Sequence, residues 1–131
     1  MLRPFFICLL AFAQPALAQE GARLFERCAA CHAVVSPSGE TLVAGGRIGP
    51  NLYGIAGSPA ALEPGFNYSR SMRAAAQQGL VWSQDSFTEY LRNPTEFLKA
   101  YLDDPSARAR MAFRLDRGAP EVYKYLQDLA R

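Results

Sequence analysis

From Gly21 to His32 the apolar positions fall at three- and four-residue steps: Gly21, Leu24, Phe25, Cys28 and then Cys31 or His32. That spacing gathers them on one face of a helix, so "GARLFERCAACH" is expected to be helical. The stretch "SPSGETLVAGGRIGPN" is rich in Gly, Ser and Pro and reads mainly as loop. A short alanine-rich helix is expected in "SRSMRAAAQQG" from Ser69, stopping at Gly79. "SQDSFTEYLRN" opens on a Ser83 cap and an acidic first turn, and stops before Pro94, because proline pushes its predecessor out of helical geometry. "TEFLKAYLDD" follows as another short helix ending before Pro105. The last element, "PEVYKYLQDLAR", carries Pro120 in its first turn and Val122, Tyr125, Leu126 and Leu129 on one apolar face. The pattern as a whole predicts an all-α chain with long loops. Such loops are unusual in a small domain unless something other than secondary structure organises them, and a central cofactor would do so.

The first eighteen residues, "MLRPFFICLLAFAQPALA", follow a different rule. One early positive charge at Arg3, an apolar run from Phe5 to Ala13 and the closing Ala16-Leu17-Ala18 match a cleaved export signal. The run is too short to span a bilayer. Residues 1–18 are therefore expected to be removed, Cys8 with them, leaving 19–131 as one domain in the periplasm. Loss of Arg3 leaves thirteen basic against twelve acidic side chains, a net charge of +1. So weak a field favours neither nucleic acid nor an anionic membrane as partner.

The remaining cysteines are Cys28 and Cys31, and the only histidine is His32. A structural zinc site takes four Cys/His ligands, usually from two separated pairs, and the second pair is missing. A redox dithiol of the thioredoxin kind sits in a βαβ context, and no alternating strand-like run precedes Arg27. C-x-x-C-H instead matches covalent haem attachment: two thiols add across the haem vinyl groups and the adjacent imidazole reaches the iron. With about 110 residues and no disulfide the chain can build only a modest core, which a haem would largely fill. A sixth iron position then remains, and methionine there raises the reduction potential. Met72 lies in the alanine-rich helix and reads as a packing residue. Met111 lies in "PSARARMAFRL", far enough from His32 for its loop to fold over the opposite haem face.

From Gly21 to Leu129 the chain resembles the class I cytochromes c, most of all the bacterial cytochromes c2 with enlarged loops. The resemblance rests on "GARLFERCAACH", "GPNLYG", "PGFNYS", "GLVW", "YLRNPTEFLKAYLDD", "RMAF" and "EVYKYL", in that order around one CxxCH. It implies a cytochrome c fold, with short helices and long loops wrapped around one covalent haem and with the N- and C-terminal helices crossing. By the same comparison His32 is the proximal and Met111 the distal iron ligand, and Pro50 offers its carbonyl to the second imidazole nitrogen. Tyr68 and Trp82 are implied to donate to a haem propionate, Tyr90 to lie near the methionine sulfur, and Leu52 to press on the haem face. Gly21 and Phe25 are expected to meet Val122 and Tyr125 at the helix crossing. The segment from Asn93-Pro94 to Met111 is longer than in the compact mitochondrial type, Arg110 precedes the methionine, Ser58 stands where many relatives carry arginine, and Lys99 and Lys124 are the only lysines.

What the resemblance implies is a monomeric one-electron carrier, not an enzyme. It would take electrons from a cytochrome bc complex and pass them to a photosynthetic reaction centre, a terminal oxidase or another reductase. Arg27, Arg108, Arg110, Arg114 and Arg117 fall on the CxxCH segment and the methionine loop, and are expected to form a docking patch for acidic partners. An ordinary charged face is the plainer alternative, and Asp103, Asp104 and Asp116 dilute the patch. Two other functional classes stand beside the carrier. One is a haem enzyme or gas-binding sensor with a displaceable or absent methionine ligand, against which no spare histidine or catalytic cluster is evident. The other is a domain that serves only inside a multi-haem complex.

Overall fold

The computed structural model describes residues 16–131, and its helices start and stop where local chemistry dictates. Most of the expected signal, with Cys8, lies outside the described residues. Helix α1 (Ala16–Cys28) buries Gly21 and Phe25. Helix α2 (Arg70–Gln77) is capped by Ser69, whose hydroxyl accepts from the Met72 N–H at 3.0 Å, and the chain leaves it through Gly79 at φ +88°. Ser83 caps α3 (Gln84–Arg92) through the Ser86 N–H at 3.1 Å. Asn93 caps α4 (Pro94–Leu102), whose first residue is the proline that ended α3. Asp103, at φ 50°, closes α4 in left-handed geometry. Helix α5 (Ala119–Leu129) follows Gly118.

The stretch expected as loop after His32 holds a small hairpin. β1 (Val34–Val35) pairs antiparallel with β2 (Thr41–Val43), with an irregularity between Val34 and Val35. Its turn is closed by the Ser36 N–H donating to Glu40 O at 2.8 Å and the Gly39 N–H donating to Ser36 O at 2.9 Å. The chain is thus mostly helical with one two-stranded ribbon. Two-residue runs are too short for periodicity to reveal, and the pairing is settled by contacts across the turn.

Helices α1 and α5 make the principal packing contact, with α3 and α4 laid against each other and α2 against α4. Phe25, Leu98, Leu126, Val34 and Val122 are fully buried. A Cβ on Gly21 would overlap the Glu121 carbonyl oxygen and sit 2.8 Å from the Tyr125 Cβ, so the missing side chain sets how closely the helices cross. Phe25 and Tyr125 meet beside it with ring centroids 5.7 Å apart. Of the four expected positions on α5, Val122 and Leu126 are buried and Tyr125 and Leu129 half-buried, while Ala119 and Tyr123, outside that set, are buried as well. The Tyr123 hydroxyl donates to the Trp82 carbonyl at 3.0 Å, which ties α5 to the segment before α3. Replacing Tyr123 with phenylalanine should lower unfolding free energy by about 1 kcal/mol, the worth of one neutral hydrogen bond. Urea unfolding at neutral pH measures it, and an unchanged midpoint would show that the bond contributes nothing.

Candidate functional site

Two cysteines and a histidine leave α1 on a single tight turn. The N–H groups of Cys31 and His32 both donate to Cys28 O at 3.0 Å, which brings Cys28, Cys31 and His32 around one end of the helix. Both thiols are free and half-buried. Burial raises the Cys28 pKa, against a smaller lowering by the neighbouring Arg27 charge. A redox dithiol needs the opposite, a depressed thiol that supplies thiolate. Among the described residues no three His, Cys, Asp or Glu side chains converge as a metal site.

The imidazole is fixed from behind. His32 Nδ1–H donates to the Pro50 carbonyl at 2.7 Å, so Nε2 carries the lone pair available to a metal. Burial lowers the His32 pKa, partly opposed by the Pro50 bond, which keeps the ring neutral as coordination requires. The loop that delivers Pro50 lies flat on the CxxCH turn. Gly46 N–H donates to Ala29 O at 2.9 Å and Gly49 N–H to Cys31 O at 2.8 Å. A Cβ on Gly45 would lie 2.7 Å from Ala29 O, and one on Gly49 would lie 2.5 Å from His32 Nδ1 and 2.7 Å from Nε2. Asn51 holds the next turn: Val35 N–H donates to its Oδ1 at 2.9 Å, and its Nδ2 donates to Val35 O at 2.8 Å. Sequence reasoning found Pro50 but missed Gly45, Gly46, Gly49 and Asn51, whose partners lie up to 18 residues away. The density of glycine in "VAGGRIGPN" was the available signal.

The other expected site residues take varied places. Leu52 is half-buried against the core and its N–H donates to Ala33 O at 3.1 Å. Trp82 and Tyr90 meet edge to face at 5.0 Å and both pack on Phe97. Burial pushes the Tyr90 hydroxyl up to about 12. Neither the Trp82 indole N–H nor the Tyr90 hydroxyl has a protein partner among the described residues. Tyr68 packs edge-on to Phe66 at 4.8 Å, and its oxygen accepts from the Glu63 N–H at 2.9 Å, which leaves its own proton to donate elsewhere. Met72 is buried in the core, whereas Met111 is half-buried on a segment between α4 and α5. Arg27, Arg108, Arg110, Arg114 and Arg117 are all exposed, but three are engaged within the chain. Arg27 stacks on the Phe113 ring at 4.9 Å, Arg108 donates to the carbonyls of Pro105 and Ala107, and Arg110 donates to Asn67 O at 2.7 Å.

The donor set suits haem c: two free thiols on one turn, an imidazole with one nitrogen committed, a thioether on a distant loop, and aromatic N–H and O–H groups without protein acceptors. No family model matches the chain. Cytochrome c-551 of Roseobacter denitrificans is 43% identical over 112 residues, covering 86% of this chain and 80% of that protein. The chain belongs to the class I cytochromes c, in the cytochrome c2 group. Cytochrome c2 of Rhodobacter capsulatus is 36% identical over 128 residues, 95% of this chain and 93% of that one. Its crystal structure superposes with a TM-score of 0.84 over 87% of this chain and 98% of its own. Cytochrome c2 of Paracoccus denitrificans, at 32% identity, gives 0.83 over 86% and 95%. This cytochrome carries one covalent haem c, the Cys28/Cys31 pair fits the attachment motif, and its general role is electron transfer. Among its described residues no helix is long and apolar enough to cross a membrane.

Proposed function

We propose that this cytochrome is a periplasmic one-electron carrier in which His32 and Met111 are the axial ligands of the haem iron. The observation that carries the reading is the His32 Nδ1–H bond to Pro50 O, which leaves a neutral imidazole with Nε2 committed to nothing else. When bound, haem c supplies an iron that changes by one electron between its ferrous and ferric states. Cys28 and Cys31 hold the group on the end of α1, and the Pro50 carbonyl orients the ring and raises its basicity. Met111 offers a soft thioether, which favours the reduced state. With His32 and Met111 both holding the iron, no position on it would remain for a substrate. Trp82 and Tyr68 have protons free to donate to the propionates, Leu52 would cover a haem face, and the half-buried Tyr90 would bring its hydroxyl near the sulfur.

Export fits the same reading, with residues 1–18 as the signal that is removed. The α1–α5 contact uses Gly21 and Phe25, both beyond that cut, so it survives processing. The working form is a monomer that accepts electrons from a cytochrome bc complex and delivers them to a reaction centre, a terminal oxidase or another reductase. Optical spectra of the purified holoprotein test the ligation. A c-type reduced spectrum, a weak far-red sulfur-to-iron band when oxidised, and slow, weak carbon monoxide binding are expected. Prompt, tight carbon monoxide binding at neutral pH would favour a sensor or enzyme instead.

The five exposed arginines form the docking face. With acidic partners, reduction by a purified cytochrome bc complex should slow several-fold between about 0.01 M and about 0.15 M ionic strength, as the screening length shrinks from ~30 Å to ~8 Å. Rates independent of salt would remove the patch.

A further inference from the structure

The segment that carries Met111 has almost no backbone support. Arg108 N–H donates to Ser71 Oγ at 3.0 Å and Ala109 N–H to Thr95 Oγ1 at 3.1 Å. The next backbone bond is Leu115 N–H to Leu91 O at 2.8 Å. From 110 to 114 neither the N–H nor the C=O groups find a partner among the described residues. Two side-chain contacts flank the methionine there. Arg110, one residue before it, donates to Asn67 O at 2.7 Å. Phe113, two residues after it, lies beneath the Arg27 guanidinium at 4.9 Å. Arg27 adjoins Cys28, so this second contact runs from the haem-attachment turn to the methionine loop.

We propose that Arg27 and Arg110 are positioning residues that hold Met111 in place from either side. The inference rests on Met111 being an iron ligand, as proposed above. A thioether is a weak ligand, and its retention depends on how often the loop carrying it opens. An arginine over an aromatic face and an arginine on a carbonyl both resist that opening, and both use a planar cation that lysine reproduces only in part. Two of the five docking arginines therefore serve inside the molecule as well as at its surface.

Titration of ferric holoprotein with imidazole at neutral to mildly alkaline pH reads the opening directly, because added imidazole reaches the iron only when the Met111 sulfur leaves. The apparent affinity then scales with the population of the open loop. Arg27→Ala and Phe113→Leu should each bind imidazole about three- to fivefold more tightly than wild type, and Arg110→Ala up to about tenfold. The effects of Arg27→Ala and Phe113→Leu should not add in the double variant, because they remove one contact, and Arg27→Lys should recover part of the loss. Phe113→Leu leaves the charge unaltered, which separates the clamp from a general electrostatic effect. Imidazole affinities within twofold of wild type in all three single variants, with the far-red band present, would overturn the clamp. So would full additivity of Arg27→Ala with Phe113→Leu. A wild-type protein without the far-red band would instead overturn the Met111 ligation on which the clamp rests.

Discussion

Gly49→Ala should lower holoprotein stability by about 3 kcal/mol and disturb the haem spectrum. Its Cβ would lie 2.5 Å from His32 Nδ1 and 2.7 Å from Nε2, well inside normal contact distance. The glycine backbone is not in the left-handed region, so the strain is purely the overlap with the ring. Relief requires the imidazole to move, and the Nδ1–H bond to Pro50 breaks with it. Overpacking typically costs ~1–3 kcal/mol and a lost buried hydrogen bond about 1 more. Covalent attachment through Cys28 and Cys31 should persist, so the variant keeps its haem but coordinates it poorly. Pro50→Ala is the matched comparison: it retains the carbonyl that accepts from His32 and should shift the spectrum little. Spectra and urea unfolding of both variants, purified with haem, decide it. A Gly49→Ala protein matching wild type in both would show that the glycine strap does not position the ring.

Gly21→Ala should cost about 2 to 3 kcal/mol, which lowers the melting temperature by roughly 10 °C for a domain of this size. Alanine favours a helix over glycine by about 1 kcal/mol, so α1 alone would be stabilised. The crossing reverses the sign. The atoms in the way are the Glu121 carbonyl oxygen and the Tyr125 Cβ, and neither can swing aside by a rotamer change. Helices α1 and α5 must separate, which loosens Phe25 against Tyr125. Thermal unfolding of the holoprotein followed by far-ultraviolet circular dichroism measures the change. A melting temperature equal to or above wild type would show that the helices repack without loss.

Helix ends were legible because their determinants are local. Ser69, Ser83 and the Asn93-Pro94 pair mark starts and stops within one turn of chain, and the structure places them as caps. The hairpin was not legible: Val34 pairs with Val43 through contacts that no three-residue pattern records. Tyr123 was missed for a similar reason, since its value lies in a carbonyl 41 residues away. At the site the division repeats. C-x-x-C-H announces itself by spacing, whereas the glycines that lie against His32 look like ordinary loop residues until the loop is folded onto the turn.

What the sequence by itself determined is the chemistry on offer: the Cys28/Cys31 pair that fits haem attachment, His32 and Met111 as candidate ligands, where the helices begin, and which family the chain joins. Such properties depend on residue type and short spacing, and survive without knowledge of the fold. Only the tertiary structure decided how that chemistry is held: a glycine strap behind the imidazole, a close α1–α5 crossing, and two exposed arginines that reach Phe113 and the Asn67 carbonyl on either side of Met111. These depend on approach distances between segments distant along the chain, and a distance of that kind exists only once the chain has folded.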